Sequence, residues 1–262
     1  MAIEHQRWRE QWTHFAPSIN DERRQLERWL MPLHLSDVRG LDVLDAGCGS
    51  GVHTMLYADA GAKSVHAVDY ASWKEAEARF GDLPNVSFGQ LDLCTQRPPG
   101  TYDLVCCVGV LPHVPDPEAA VRNLAAAVRP GGRLLIWATV REGNTGLLMF
   151  DATKVLITSW ATKGIKLAMA RLLAVATLPG QTLAARSAVV RRALPYGDYL
   201  ARLSSLPFPR VTQNFYDALN APRRILFTTD QVTGWLRSAG LSVQVHVTDD
   251  NKSRTWLAHL AN

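Results

Sequence analysis

Residues 45–51, Asp-Ala-Gly-Cys-Gly-Ser-Gly, decide the fold of this chain. They follow a short apolar run that begins at Asp42 and precede an amphipathic segment that begins at Val52. Glycines between a strand and a helix allow a tight turn and let backbone amides approach a ligand closely. Asp69 comes 18 residues after Gly51, at the end of the next apolar run, where a carboxylate can accept the hydroxyls of a ribose. The pair of features predicts a nucleoside-binding α/β domain.

Three nucleotide-binding classes share a glycine-rich turn, and the flanking residues separate them. A dinucleotide site favours Gly-x-Gly-x-x-Gly, whereas the last spacing here is one residue, and Asp45 would repel a diphosphate. A Walker loop needs Gly-Lys-Ser or Gly-Lys-Thr, which the stretch lacks. The acid in front of the loop favours a ligand with a cationic group.

The sequence around the loop alternates apolar runs with amphipathic segments, as expected of buried parallel strands joined by helices. We predict strands at Asp42–Asp45, Ser64–Asp69, Val86–Gln90, Asp103–Val108 and Gly132–Val140, with a turn at Pro130-Gly131-Gly132 before the fifth. Helices are predicted at Val52–Ala60, Ala71–Phe80 and Pro117–Val128, the last capped by Asp116. A helix from Thr229 to Ala239 and two antiparallel strands, Leu241–Thr248 and Thr255–Leu260, complete the pattern.

The pattern divides the chain into three parts. Residues 41–142 and 227–262 form the predicted α/β core, and residues 143–226, rich in Leu, Ala and Arg, form a helical insertion after the fifth strand. Because open α/β sheets bind ligands at the carboxyl ends of their strands, we expect this insertion to act as a lid or substrate domain. Residues 1–40 are predicted to be a helical cap that covers the cofactor pocket or packs on the sheet, through Trp8, Trp12, Phe15 and Trp29.

Composition and charge indicate a globular protein. Hydrophobic residues make up 47% of the 262 residues, and the net charge of +4 is a mild excess without a long basic run. The four cysteines show no zinc or redox spacing, and the first ten residues lack the apolar core of a secretory signal, so we expect a cytoplasmic protein without a metal. Lys163, Lys166 and Arg171 interrupt the most apolar stretch, Val155–Leu178, which argues against stable membrane insertion; an amphipathic contact with a membrane stays an alternative.

Five motifs in order resemble class I S-adenosylmethionine-dependent methyltransferases. They are Val43 to Gly51, Ala67-Val68-Asp69-Tyr70, Gln90-Leu91-Asp92-Leu93, Tyr102-Asp103-Leu104-Val105 through Pro117, and Pro130-Gly131-Gly132-Arg133-Leu134. The nearest branch resembles the ubiquinone and menaquinone biosynthesis methyltransferases. The resemblance implies a Rossmann-like, mostly parallel seven-stranded sheet with an antiparallel last strand and helices on both faces. It also implies S-adenosylmethionine as the cofactor and methylation of an oxygen or carbon of a small, apolar or acidic molecule.

The resemblance also assigns cofactor-binding residues. Asp45 would order the loop and meet the methionine amino group, Gly47 and Gly49 would permit close approach, and Asp69 would hold the ribose. Tyr70 would pack on adenine and Asp92 would accept from its exocyclic amine, unless both are only loop residues. The full predicted set is Asp45, Gly47, Cys48, Gly49, Asp69, Tyr70, Asp92, Leu93 and Val108.

The sequence defines the residues that would act on the methyl acceptor less well than those that would bind the cofactor. His113 follows the fourth strand and is the candidate general base, although a structural role is an equal alternative. Aromatic residues of the insertion are candidates for the acceptor pocket or for its own core, namely Tyr196, Tyr199, Phe215 and Tyr216. The fourth motif lacks the Asn/Asp-Pro-Pro-aromatic sequence of nucleic-acid amine methyltransferases, so we expect no nucleic-acid partner. We expect the protein to be a monomer or homodimer. A cyclase or decarboxylase on the same fold, or a non-catalytic cofactor-binding partner protein, stays an alternative.

Overall fold

A computed structural model describes residues 19–158, 160–194, 196–220, 224–248 and 251–260, with only the backbone for 155–157. Trp8, Trp12 and Phe15 lie outside these residues. The chain divides into two compact units, Met1–Thr145 with Arg224–Asn262, and Gly146–Arg223. We call them the sheet unit and the helical unit and describe each by itself.

The sheet unit contains seven strands in the order β3-β2-β1-β4-β5-β7-β6. β1 to β5 are parallel, and β7 runs antiparallel to both β5 and β6. The strands are β1 (Asp42–Ala46), β2 (Ser64–Asp69), β3 (Val86–Gln90), β4 (Tyr102–Val108), β5 (Val128–Thr139), β6 (Leu241–Thr248) and β7 (Ser253–Leu260). This arrangement confirms the predicted sheet and its antiparallel last strand.

Helices of the sheet unit cover the two faces of the sheet: α1 (Ile19–Leu30), α2 (Val52–Asp59), α3 (Trp73–Phe80), α4 (Pro117–Ala125) and α10 (Thr229–Ser238). Adjacent residues of β4 point to opposite faces, as the period of a strand requires. Cys106 packs with Leu26 and Leu56 of α1 and α2, whereas Cys107 packs with Leu124 and Leu236 of α4 and α10, for example. Burial on both faces explains the continuous apolar runs from which the strands were predicted.

Two details of the prediction were wrong. The helix predicted over Pro117–Val128 ends at Ala125, and Val128 already pairs with Tyr102 at the start of β5. Pro130-Gly131-Gly132 is not a turn before the strand but an irregularity within it. Tyr102 pairs with Val128 and Leu104 pairs with Arg133, so an advance of two residues along β4 corresponds to five residues along β5. Gly131 adopts φ of 74°, a conformation open mainly to glycine.

The first described helix packs on the sheet. The Trp29 ring of α1 stacks on Trp137 of β5 with centroids 4.0 Å apart, and the Trp29 carbonyl accepts a 2.8 Å hydrogen bond from Thr255 Oγ1 of β7. Leu26 and Leu30 are buried in the same cluster as Val43 of β1. The part of the N-terminal segment that is described therefore stabilises the core of the sheet unit.

The helical unit contains the predicted helical insertion after β5. Its helices are α5 (Thr145–Thr158), α6 (Lys163–Arg186), α7 (Ala188–Ala193), α8 (Gly197–Leu203) and α9 (Phe208–Asn220). Ala174, Leu203 and Val211 of α6, α8 and α9 form its apolar centre. Among the described residues, α6 is the one helix whose length and composition would suffice to cross a membrane.

Candidate functional site

The predicted cofactor-binding residues of the sheet unit gather at one edge of the sheet. Asp69 ends β2, the glycine loop follows β1, Asp92 follows β3, and His113 follows β4. Because the four strands are parallel neighbours, their carboxyl ends share this edge. The strand order reverses between β1 and β4, and such a switch point is where open α/β sheets bind ligands.

The glycine loop is tied to β2 by backbone hydrogen bonds. Gly47 N and Cys48 N both donate to Val68 O, over 2.7 and 3.0 Å. Gly47, Gly49 and Gly51 adopt φ of 84°, 53° and 79°. A Cβ on Gly47 would lie 2.2 Å from Val110 Cγ2, closer than any non-bonded contact allows. Residue 47 must therefore be glycine both for its φ and for the approach of Val110.

Asp69 braces the loop and the start of the next helix. Its Oδ2 accepts a hydrogen bond from Gly49 N over 3.1 Å, and its Oδ1 accepts from Ala71 N and Ser72 N, both over 2.8 Å. A carboxylate has about four acceptor positions. Backbone amides occupy three of them, so room for a ligand hydroxyl is left mainly at Oδ2.

Asp45 is a buried carboxyl group beneath the loop. It is 2% exposed, and its Oδ2 accepts a 2.6 Å hydrogen bond from Thr54 Oγ1 in the first turn of α2. Burial raises the pKa of Asp45 to about 7, the Thr54 hydrogen bond opposes the shift, and the nearby Asp69 charge adds to it. A cationic group placed here would lower that pKa and hold the carboxyl ionised.

The side chains beyond β2 and β3 differ in exposure. Tyr70 is 44% exposed, and its backbone carbonyl accepts a hydrogen bond from Gln90 Nε2 over 3.0 Å. Asp92 is half-buried, and its Oδ1 accepts from Cys94 N over 2.9 Å. Leu93 is buried in the core cluster, and its carbonyl accepts from Asn123 Nδ2. The Asp92 turn is thus fixed by a backbone hydrogen bond, and Tyr70 is exposed at the end of the neighbouring strand.

The segment after β4 forms the opposite side of the site. Val108 is buried at the end of the strand, and a 3₁₀ turn, Leu111–His113, follows. His113 N donates to Val110 O over 2.9 Å, and Ile225 N donates to Pro112 O over 2.9 Å. These bonds fix the backbone that carries the half-buried His113 ring.

Two other titratable side chains near this edge, Cys48 and His53, are less suited to act as a nucleophile or a base. Burial raises the pKa of the Cys48 thiol, helped by the charges of Asp45 and Asp69, so Cys48 is a weak nucleophile. Burial lowers the pKa of His53, with Glu22 opposing, and the His53 ring contacts Trp29 edge-on at 6.1 Å between centroids. His53 thus packs against α1.

The predicted acceptor-pocket aromatics lie in the helical unit. Tyr199 and Phe215 pack against the Leu203 cluster, and Tyr216 is 3% exposed. Tyr196 has φ of 59° before α8, and its ring lies so close to Gly146 that a Cβ there would be 2.7 Å from the hydroxyl. Tyr199, Phe215 and Tyr216 thus pack within their own unit, and their role in an acceptor pocket stays a prediction.

Sequence reasoning missed two residues of the site, Val110 and Thr54. Thr54 comes nine residues after Asp45, two residues into the predicted helix, and this helical position was the available signal. Nothing in the sequence indicated that Val110 would approach Gly47. Among the described residues no group of three or more His, Cys, Asp or Glu side chains could hold a metal ion.

The sheet order, the glycine loop and the acidic residues at the ends of successive strands define a Rossmann-like nucleoside-binding domain. Residues 12–148 match the family described as a methyltransferase domain, which is more than half of the chain. The chain belongs to this methyltransferase-domain family. The family resemblance predicted from the motifs is confirmed.

Curated relatives match part of the chain. It is 38% identical over 105 residues to the ubiquinone biosynthesis O-methyltransferase of Albidiferax ferrireducens, covering 38% of this chain and 41% of the relative. It is 33% identical over 138 residues to the enzyme of the same name from Idiomarina loihiensis, covering 50% and 55%. The chain spans about half the length of the curated relatives it matches.

Solved structures share the fold over nearly the whole chain. The magnesium protoporphyrin IX methyltransferase of Synechocystis PCC 6803 has a TM-score of 0.55 at 18% identity, covering 98% of this chain and 94% of that one. The N-methyltransferase NodS of Bradyrhizobium japonicum WM9 has a TM-score of 0.57 at 14% identity, covering 99% of each chain. At these identities the likeness shows the fold alone.

Proposed function

We propose that this chain transfers the methyl group of S-adenosylmethionine to an oxygen atom of a small-molecule acceptor. The observation that carries the proposal is the row formed by Asp45, Asp69 and Asp92 at the carboxyl ends of three neighbouring strands, around a glycine loop. Family membership supports a methyl donor, and the relatives named as O-methyltransferases favour oxygen as the acceptor atom. Neither a cyclase or decarboxylase nor a non-catalytic partner has comparable support.

The residues present fit this donor. Asp45 offers a buried carboxyl group that a cationic amino group would ionise, and no Lys or Arg occurs in residues 45–51 to favour a phosphate. Asp69 retains acceptor capacity at Oδ2 for a ribose hydroxyl, Tyr70 offers a ring face, and Asp92 offers a carboxylate for an exocyclic amine. When bound, the donor supplies an electrophilic methyl group on a sulfonium.

The protein has two tasks at the reacting end. Methyl transfer is an in-line displacement, for which positioning of the two reactants can supply about 7 to 11 kcal/mol. The acceptor oxygen must also lose its proton, and we propose that the His113 ring takes it, which contributes about 10²- to 10⁴-fold in rate. The 3₁₀ turn at Leu111–His113 holds this ring beside the end of β4.

Donor binding tests the role of Asp69. We expect both Asp69→Ala and Asp69→Asn to bind S-adenosylmethionine at least tenfold more weakly in calorimetric titration. The amide oxygen introduced by Asp69→Asn can still accept from Ala71 N and Ser72 N, so this variant retains more thermal stability than Asp69→Ala. Unchanged affinity in both variants would remove Asp69 from the donor site.

Turnover tests the reaction itself. We expect transfer of an isotopically labelled methyl group from the donor to acceptors that carry a phenolic hydroxyl, detected by mass spectrometry. Tight donor binding without any labelled product across the acceptor pool would favour the other reaction types or a non-catalytic role. A His113→Ala variant should lose most of kcat, and a normal rate in this variant would contradict the proposed base.

We also propose that the protein acts in the cytoplasm. All four cysteines are free, and Cys48, Cys106 and Cys107 are buried. Free thiols are compatible with a reducing compartment. Fractionation of the cells that make the protein is the direct test.

A further inference from the structure

The helical unit has an unusual distribution of charge. Residues 146–223 contain ten Lys and Arg against three Asp, a net charge of +7, whereas the rest of the chain carries −3. Between Asp151 and Asp198 the sequence has no acidic residue at all, yet it has seven basic ones. A strongly one-signed segment of this length attracts an anionic partner.

The long helix of this unit presents apolar side chains to solvent. Ile165, Leu172 and Leu183 are separated by seven and eleven residues, so they lie on one face of α6, and Val175 is one turn from Leu172. Leu172 is 69% exposed and Leu183 is 54% exposed. Of the 18 consecutive residues that form the most apolar part of the helix, only 22% are buried. We call this set the apolar face of α6: Ile165, Leu172, Val175, Leu178 and Leu183.

The opposite face of α6 is small and polar. It buries Lys166, Ala170, Ala174, Gln181 and Ala184. Lys166 Nζ donates to Asn220 Oδ1 of α9 over 3.2 Å, and Ala174 packs against α8 and α9. The helix therefore holds its own unit together through its small and polar side and leaves its larger apolar residues uncovered.

Basic side chains lie beside the apolar face. Arg171 and Arg186 of α6 are exposed, one turn before Val175 and one turn after Leu183. On α7, Arg192 is exposed and Val189 is 77% exposed. An apolar stripe flanked by Lys and Arg is the arrangement with which a helix lies in the headgroup region of a bilayer. Large apolar side chains exposed side by side mark an interaction surface.

We propose that the apolar face of α6 docks the protein on an anionic lipid bilayer. Its apolar residues would enter the boundary between headgroups and acyl chains, and Arg171 and Arg186 would meet lipid phosphates. A nucleic acid would match the charge but would leave Leu172 and Leu183 without a partner. A second copy of this chain would bring two basic surfaces together. The bilayer accounts for both the charge and the apolar exposure.

The structure also favours docking over crossing. A crossing helix would have to place Lys166, Gln181 and the charge of Arg171 within the hydrocarbon, at a cost of several kcal/mol. Lys166 and Gln181 are buried within the helical unit instead. The interaction is therefore expected to be peripheral and sensitive to salt.

Flotation with lipid vesicles tests this proposal on the full chain. We expect binding to vesicles of phosphatidylcholine mixed with phosphatidylglycerol, at least tenfold stronger than to phosphatidylcholine alone, and release by high salt. Leu172→Gln with Leu183→Gln should weaken binding at least tenfold. Arg171→Gln with Arg186→Gln should weaken it by about fivefold for each charge removed.

A matched control comes from the sheet unit. Val247→Gln with Arg79→Gln removes one exposed apolar side chain and one exposed charge there, and it should bind vesicles as the wild type does. All three pairs of substitutions lie at exposed positions, so circular dichroism should show unchanged folding and melting. Equal binding by every variant, or no preference for the anionic vesicles, would overturn the proposal.

Other occupants would give other results, each of which contradicts the proposal. Retention of a short labelled oligonucleotide without vesicle binding would indicate a nucleic acid. A dimer in light scattering that Leu172→Gln with Leu183→Gln dissociates would indicate a second copy. Binding that resists high salt and alkaline carbonate would indicate a crossing helix. Donor titration on the same variants separates this proposal from the proposed function, since the docking variants should bind the donor normally.

Discussion

At the scale of single residues, Gly47 carries two constraints that can be tested together. Gly47→Ala introduces a side chain at φ of 84° and places its Cβ 2.2 Å from Val110 Cγ2. A strained backbone position costs about 1 to 3 kcal/mol, and the overlap displaces Val110 or the loop. We expect at least a tenfold loss of donor affinity in calorimetric titration and a lower free energy of unfolding in urea.

Gly40 provides the matched control for this substitution. It has a similar φ of 74° in the same unit, but no atom lies within 4 Å of the Cβ that alanine would add. Gly40→Ala should therefore show the backbone cost alone and leave donor affinity unchanged. Equal effects of the two substitutions would mean that the contact with Val110 is unimportant.

The pKa of Asp45 predicts how donor binding depends on pH. The carboxyl has a pKa of about 7 in the free protein, so it is mostly protonated at pH 6 and mostly ionised at pH 8. A cationic amino group binds the ionised carboxyl more strongly than the protonated one. As the pH increases towards 7, the affinity for the donor should therefore increase by up to about tenfold per pH unit. Titrations between pH 5.5 and about 8 measure this slope, and Asp45→Asn should remove it.

Stability should follow the opposite sign. The pKa of Asp45 is raised above its ordinary value of 3.8, so between about pH 4 and pH 7 the folded state holds a proton that the unfolded state has lost. The contribution of Asp45 to stability is therefore complete below pH 4 and declines as the pH rises through 7, by at most about 1.4 kcal/mol per pH unit. Urea unfolding of the wild type and of Asp45→Asn isolates this contribution.

At this scale the sequence predicted the chemistry of the residues better than their contacts. Asp69 was placed at the end of β2 from its spacing to Gly51, but its three backbone hydrogen bonds depend on the path of the chain at 49, 71 and 72. Val110 lies 63 residues beyond Gly47 in the sequence, and only the pairing of β1 with β4 brings their ends together. A contact of this kind follows from strand order and not from local pattern.

At the scale of elements, the contribution of the N-cap of α4 to stability can be tested. Asp116 Oδ1 accepts from Ala119 N over 2.9 Å, with Pro117 at the first helical position. Asp116→Ala should lower the free energy of unfolding by about 1 kcal/mol, because the cap oxygen is lost. Asp116→Asn keeps an acceptor and should lie within a few tenths of a kcal/mol of the wild type. Urea denaturation measures both, and equal losses would contradict the cap.

The predicted strands differ in how closely the structure matches their bounds. β2, β3 and β6 agree with their predicted bounds, whereas β5 begins four residues earlier than Gly132. A Pro-Gly-Gly sequence is typical of a turn. Here it remains in the strand because Arg129 is anchored there, with Nη1 2.7 Å from Asp103 Oδ1 and Nη2 3.0 Å from the Thr101 carbonyl. These tertiary bonds are absent from any local pattern.

At the scale of the whole molecule, the two units differ in how far the sequence explains them. The sheet unit was predictable because its strands and helices alternate with a regular period and each element buries a defined face. The helical unit has the required helices, but its buried positions mix Lys166 and Gln181 with alanines, so the period of apolar residues does not show which face is inside. The family match ends at residue 148 and gives no further guidance on this unit.

Excision of the helical unit tests whether donor binding belongs to the sheet unit alone. The chain ends that it would leave are close together, because Val140 pairs with Phe227, Arg141 N donates to Phe227 O over 2.8 Å, and Glu142 Oε1 accepts from Thr229 N over 2.7 Å. A short Gly/Ser linker in place of residues 146–223 should therefore leave the sheet unit folded. Since every predicted donor contact lies outside the excised residues, calorimetry should give a donor affinity within about threefold of the full chain. The lid or substrate role predicted for residues 143–226 requires that the excised protein loses methyl transfer, and retained turnover would contradict that prediction.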